Sequence, residues 1–421
     1  MNYSDIDFFT DLSLVDDPYP YFEYLRSSGP VKRLPAHNVV AVTGFEEAIT
    51  VLLDPEHYSS INAVTGPLPP VPFTPEGDDI TAQIEAHRPK MPFGEEELTQ
   101  DPPRHTPLRS LMTRLFTPSR LRELERGITR LADQLIDEIE AKGKCELNQD
   151  YGTPFATLAI ADLLGVPEED RGDFRKAVTG TSNVIGADGN STPVNPMDFR
   201  REKFLTYVKE RRQSPRGGIL SELATATYAD GSTPDIMDVV RVTTLLFGAG
   251  QDTTAILLGN AMRIIAERSD LQAELRADPS LIPDFIEEVL RVSGPVKASF
   301  RLARKPASLA GVDIPIGTTV MLTSAALNRD PRRFESPAEF KLGRPRAKEH
   351  LSFGRGIHTC PGAALARAEA RISLERLLAR LDRIELDPEF HGPADARRFE
   401  YMPTYVFRGL RALHLRYTGK S

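Results

Sequence analysis

Phe353-Gly-Arg-Gly-Ile-His-Thr-Cys-Pro-Gly362 concentrates three glycines, a histidine and Cys360, one of only two cysteines in the 421-residue chain. The next run, "AALARAEARISLERLLARL", has a strong helical pattern. Pro361 needs no amide hydrogen at a first helical position, so the spacing predicts Cys360 at a helix N-terminus. Free amides and the positive end of the helix dipole favour a thiolate there. Gly354, Gly356 and Gly362 permit a tight turn and close approach of a flat partner. These features suit a cysteine that ligates a metal beneath a planar macrocycle. The same residues also read as a buried cysteine in a glycine turn, or as a nucleophile paired with His358. Zinc does not fit, because one thiolate without a CxxC is too few ligands.

Working outward, the composition is that of a soluble globular protein, with 40% hydrophobic and 27% charged residues. A net charge of −8 argues against a general nucleic-acid binder. Two cysteines cannot build a disulfide framework and fit a reducing cytoplasm. The N-terminal "MNYSDIDFFTDLSLVDDPYPYFEYL" is acidic throughout and reads as neither signal peptide nor membrane anchor. No repeat or Gly/Ser linker divides the chain, and a single domain over residues 1–421 is expected. The proline-dense segment Thr65 to Asp79 is expected to be an irregular loop over a ligand pocket.

Most other segments read as helix. "SRLRELERGITRLADQLIDEIEAKG" has apolar residues at three-to-four spacing and stops at Gly143. The pattern from Thr233 to Asp270, with Thr233 as N-cap and Pro234 at the first position, predicts a helix roughly 50 Å long through the core. Gly248 and Gly250 inside it suggest local opening or close approach of a ligand. "PSLIPDFIEEVLRVSG" is a shorter helix. Strand-like pieces are limited to "NVVAVTG", "GTTVMLT" and "RGLRALHLRY". The expected fold is mainly α with small β-sheets, without the alternation of a Rossmann fold.

At every fixed position "FGRGIHTCPG" resembles the haem-binding loop of the cytochrome P450 family, F-G-x-G-x-H-x-C-x-G. The resemblance implies haem b with Cys360 as axial thiolate, held between the long central helix and the helix after the cysteine loop. Ala249-Gly250-Gln251-Asp252-Thr253 is similar to the family's oxygen-activation stretch, which implies that Asp252 and Thr253 deliver protons and that Ala249 borders the haem. "DPPRHTPLR" resembles the family's D-P-P-x-H-x-x-x-R. With Arg301 and His358, His105 and Arg109 are thereby implied to bind the haem propionates. "EEVLR" matches E-x-x-R, implying a buried network of Glu288 and Arg291 with Arg344 as third member. Lys341 departs from the more usual acidic residue nearby.

The resemblance covers essentially the whole chain and implies a soluble, cytoplasmic haem-thiolate monooxygenase using O2. Electrons are expected from NAD(P)H through a ferredoxin reductase and an acidic ferredoxin. The ferredoxin is expected to dock on a basic face formed by Arg109, Arg114, Arg120, Arg122, Arg126, Arg355 and Arg367. Leu246, Ala249, Val296 and Phe407 correspond to pocket positions and imply a hydrophobic substrate. Lys297 reads as a solvated lysine or an anchor for a substrate carboxylate. The alternatives are a haem-thiolate sensor or carrier, a cysteine hydrolase, and a dehydration, coupling or demethylation activity on the same fold.

Overall fold

The long apolar pattern forms one uninterrupted helix, Ile236–Glu267, in the computed structural model, which describes residues 2–178 and 196–419. At 1.5 Å per residue it spans about 48 Å. It starts later than Thr233 predicts. Asp235 is the N-cap, because its carboxylate accepts the Met237 amide at 2.7 Å and so satisfies a free helix-end donor. The glycines do not open this helix. A Cβ on Gly250 would lie 3.2 Å from Ile160 Cδ1, so the glycine permits close packing against the helix Thr153–Leu164. That neighbour ends at Gly165, whose φ of +69° is the left-handed conformation that glycine adopts without a Cβ penalty.

Helices Pro118–Glu140 and Ala363–Arg380 pack on the same core, which also takes in the central helix and the helix Ile282–Ser293. Residues such as Phe155, Leu258 and Leu374 are fully buried where these elements meet. Helical periodicity was a sound guide because each helix turns one apolar stripe inward, whereas the central one is apolar on nearly all sides.

The described strands are β1 (Val31–Arg33), β2 (Val39–Val42), β3 (Tyr58–Ser59), β4 (Lys144–Glu146), β5 (Ser299–Ala303), β6 (Ala307–Leu309), β7 (Val312–Ile314), β8 (Thr319–Leu322), β9 (Leu381–Leu386) and β10 (His414–Gly419). They form sheets ordered β1-β2-β8-β5-β3, β4-β10-β9 and β6-β7. The expected pieces "NVVAVTG" and "GTTVMLT" supply the parallel pair β2–β8, with Val39 opposite Thr319. Both strands are buried along their whole length, so they read as apolar runs rather than alternating ones. Only the end of "RGLRALHLRY" becomes strand.

Residues 65–79 form no helix or strand, but they do not roof the central cavity. Val71 and Phe73 pack on Ile61, Ile84 and Leu302, and Tyr405 donates to the Thr65 carbonyl at 2.7 Å. Apolar anchoring turns the segment against the β5 side of the molecule. Its predecessors Ala63 and Val64 reach the cavity instead.

Glu288 and Arg291 have no side-chain exposure and pair through two hydrogen bonds of 2.7 and 2.8 Å. Arg344 Nε reaches the same carboxylate at 2.8 Å, and so does the Lys341 backbone amide at 2.9 Å. Lys341 contributes a backbone donor, which any side chain preserves. The remaining arginine donors bond the carbonyls of Asn328, Pro337 and Glu339 from Arg291, and of Glu335, Ser336 and Glu339 from Arg344.

Candidate active site

A cavity of about 330 Å³ lies between the middle of the central helix and the cysteine loop. Ala249 is exposed although it sits mid-helix in the interior, because it faces this space. Leu246, Val296 and Thr253 also border it, and Cys360 faces it from the loop side. The lining is predominantly apolar. Phe407 is not among the bordering residues. It bridges Val296 through the backbone and packs against the buried cluster that includes Phe9, Phe300 and Tyr405. Lys297 also misses the cavity: it is 3% exposed beside Arg408, and burial followed by that like charge pushes its pKa down to about 7. Alternation along the extended chain turns Val296 inward and Lys297 to the other side. It is neither solvated nor placed to anchor a substrate.

The loop that presents Cys360 is built on Gly354 and Gly356, with φ of +66° and +74°. At Gly356 a side chain would meet the Leu52 carbonyl, since a Cβ would lie 2.4 Å from its oxygen. The Cys360 amide donates to the Phe353 carbonyl at 2.9 Å and closes the loop. The helix begins at Ala363 with Gly362 as cap, so Pro361 lies in the preceding turn rather than at the first helical position. Burial pushes the Cys360 thiol up. The amides of Gly362 and Ala363 and the charges of Arg109 and Arg367 act in the opposite direction without overcoming it. A thiolate at this point needs a cation in the cavity.

One edge of the cavity gathers cations. His105 and Arg109 share the helix His105–Thr113, and Arg109 donates to the Thr359 carbonyl in the cysteine loop. Arg301 comes from β5 and is buried, and among the described residues its side chain donates to the Phe300 carbonyl at 2.7 Å. Burial lowers its pKa to about 10. The His105 and His358 rings lie 4.4 Å apart, and the Nε2 atom of each is buried without a hydrogen-bond partner. Burial and then Arg301, His105 and Arg109 push His358 down to about 2, so the ring is neutral. The nearest carboxylate is Glu97, 3.2 Å from His105 and 3.5 Å from Arg109, yet its Oε1 lacks a properly aligned bond. Asp101 also acts on Arg301, yet with two arginines and two histidines the edge is short of acceptors and suits an anion. No hydrogen bond joins Cys360 to His358 among the described residues, which removes the geometric basis for a cysteine nucleophile.

On the central helix the Thr253 hydroxyl donates to the Ala249 carbonyl at 2.7 Å while bordering the cavity. Asp252 points the other way. Its carboxylate accepts from Gln251 at 3.1 Å, and Gln251 in turn accepts from buried Arg200 at 3.0 Å. Burial pushes the Asp252 carboxyl up, against the opposing pull of Arg200 and Gln251. Three carboxylates escaped the sequence reading. Glu369 is buried against Thr254 at 3.1 Å and is pushed up to about 8 by burial. Glu97 and Glu287 are the other two, and all three sit in ordinary charged sequence where only partners from distant elements show their setting.

The model of the family "Cytochrome P450" matches residues 194–390. The chain is 33% identical over 407 residues to cytochrome P450 monooxygenase PikC of Streptomyces venezuelae, covering 95% of this chain and 91% of that one. It is 34% identical over 374 residues to the vitamin D(3) 25-hydroxylase of Pseudonocardia autotrophica, covering 88% and 87%. The substrate-free structure of cytochrome P450 CYP150A6 from Mycobacterium marinum matches at a TM-score of 0.94 with 53% identity, over 100% of both chains.

Proposed function

This chain belongs to the cytochrome P450 family and is a haem-dependent monooxygenase in general terms; on that premise we propose that Cys360 is its axial thiolate and that its substrate is a hydrophobic small molecule. The observation that carries the reading is the pairing of Cys360, facing the apolar cavity, with an acceptor-poor cationic edge. Haem fits this donor set. Its propionates supply the acceptors that His105, Arg109, Arg301 and His358 lack, and its iron supplies the cation that a buried thiolate needs.

Bound haem supplies reductive activation of dioxygen, with one oxygen atom going to the substrate and the other to water. The chain's own residues do the rest. Ala249, without a bulky side chain, leaves room on the helix side of the cavity. Thr253 spends its hydroxyl proton on the Ala249 carbonyl, so its oxygen is free to accept from a water and hold it in place. Asp252 carries protons from the Arg200–Gln251 side towards that threonine. Leu246 and Val296 exclude water and orient an apolar substrate. Phe407 acts only through its bridge to Val296.

Electrons come from NAD(P)H through a reductase and an acidic ferredoxin, within one domain spanning residues 1–421 and in the cytoplasm. The docking face is smaller than the sequence suggested. Arg109 turns into the cavity, Arg367 is held by Glu287, and Arg120 by Glu222. Exposed Arg114, Arg122, Arg126 and Arg355 remain, and reversing the charge of Arg114 or Arg355 should slow reduction most at low salt. Cys360→His is the central test. The red-shifted Soret band of the ferrous-CO complex should be present in the wild type and absent in the variant, together with activity. An unchanged band in the variant refutes the ligand assignment.

A further inference from the structure

Arg367 is tied to the wrong partner for a docking cation. On the helix after the cysteine loop, its guanidinium bonds Glu287 at 2.5 and 3.0 Å. Glu287 belongs to the helix Ile282–Ser293, beside the saturated Glu288, and is 4% exposed. Its other face lies 3.3 Å from His350 Nε2. The Ser352 amide donates to His350 Nδ1 at 3.2 Å, which leaves the hydrogen on Nε2, close to Glu287 but without an aligned hydrogen bond to it. Burial raises the Glu287 carboxyl, but His350 and Arg367 outweigh that and hold it down to about 2.

The two partners of Glu287 converge on one ring. Arg367 Cζ lies 4.6 Å from the centroid of Phe353, within cation–π range, and the His350 ring lies 5.7 Å away. Phe353 opens the cysteine loop, and its carbonyl receives the Cys360 amide at 2.9 Å. Ser352, the residue before it, is pinned by donating to the Leu290 carbonyl at 2.6 Å.

We propose that Glu287 is a positioning residue for the cysteine loop: through Arg367 and His350 it clamps Phe353, and through the Phe353 carbonyl it fixes Cys360. The clamp also balances charge. The Glu287 carboxylate neutralises the Arg367 guanidinium at 2.5 Å beside the cysteine loop. This inference rests on Cys360 as the haem ligand, and a wild type without the thiolate CO band removes that foundation rather than the clamp.

The experiment uses purified holoenzymes of wild type, Glu287→Gln, Arg367→Lys and Arg376→Gln. The last breaks the 2.7 Å pair between Arg376, on the same helix as Arg367, and Asp133 of the helix Pro118–Glu140, away from the loop, and controls for lost ion pairing. Two quantities are read: the lifetime of the thiolate ferrous-CO band at a fixed temperature, and the midpoint reduction potential. Glu287→Gln should shorten the lifetime severalfold and move the potential upward, since a negative charge is removed. Arg367→Lys keeps the charge but loses the planar stack, so it should shorten the lifetime with little change in potential. Arg376→Gln should leave both near wild type. If Glu287→Gln does not fold, Arg367→Lys with its control still decides the question. A wild-type lifetime in Glu287→Gln or Arg367→Lys, or equal shortening in Arg376→Gln, overturns the proposal.

Discussion

The buried charged cluster around Glu288 and the one around Arg301 differ in how fully their groups are bonded. Around Glu288 every strong donor finds an acceptor: two arginines and a backbone amide share one carboxylate, and a ring of carbonyls accepts the remaining guanidinium hydrogens. Around Arg301 the donors outnumber the acceptors, and two histidine nitrogens are left without partners beside the cavity. Burial without bonding is costly, so a protein keeps such a deficit only where something else completes it. Saturation of the Glu288 cluster fits a group that holds the fold, and the deficit beside the cavity fits one that a ligand completes. Motif matching sees both clusters as charged residues in family positions and does not separate them.

The largest expected effect comes from breaking the saturated cluster. Glu288→Ala strands two buried guanidinium groups and should cost about 3–5 kcal/mol, enough to leave little folded protein. Expression yield and urea denaturation of any soluble fraction would measure it. A stable variant would mean that saturation is not what makes the cluster structural.

The Asp252 site stands between the extremes, with one carboxylate, a glutamine and an arginine that still has a free buried nitrogen. Asp252→Asn should lower turnover by roughly 10²-fold, the lower end of general acid–base contributions. Arg200→Gln removes a charge that holds the Asp252 carboxyl down, so the acidic limb of the pH–rate profile should move to higher pH. An unmoved limb would separate Arg200 from the proton path.

Arg301→Leu probes the deficient cluster. Without haem it should not lower the melting temperature, because it relieves an uncompensated buried charge. With haem it should release the cofactor about tenfold faster, about 1.4 kcal/mol, as measured by transfer to an apoglobin acceptor. Destabilised apoprotein with unchanged haem release would invert the comparison.

The smallest effect concerns Lys297, a buried cation that belongs to neither cluster. Its folded pKa of about 7 lies below the ordinary lysine value of 10.5, so the folded state favours the neutral amine. Between those values the unfolded chain binds more protons, and stability rises with pH; below about 7 the full penalty applies. Lys297→Met should therefore stabilise the protein at pH 6 to 7 (about 1 kcal/mol or more) and flatten that rise. Denaturation midpoints across the pH range would test it.

How much was legible depended on whether a feature is local. The cysteine loop, the His105–Arg109 spacing and the Glu288–Arg291 spacing are written in consecutive residues, so sequence alone located them. Helix ends were less legible, as at Asp235 and Ala363, because capping turns on which side chain or turn reaches a free amide. Phe407 and Lys297 were misplaced because extended segments aim alternate residues at opposite sides, and only the packed neighbours reveal which side is the cavity. Glu97, Glu287 and Glu369 were overlooked because a glutamate in a helix or loop is ordinarily solvated.

By itself the sequence determined a mainly helical chain, a central helix apolar all round, and a glycine loop bearing one cysteine. Those follow from residue type and short-range spacing, which act before the chain has folded. Tertiary structure alone decided which charges are satisfied. Glu287 belongs to Arg367 and lies beside His350, Asp252 faces Arg200, and Arg301 is left with the neighbouring Phe300 carbonyl because elements far apart in sequence meet there. Desolvation is a property of the assembled interior, and it turns ordinary carboxylates and arginines into supports of the loop or receivers of a ligand.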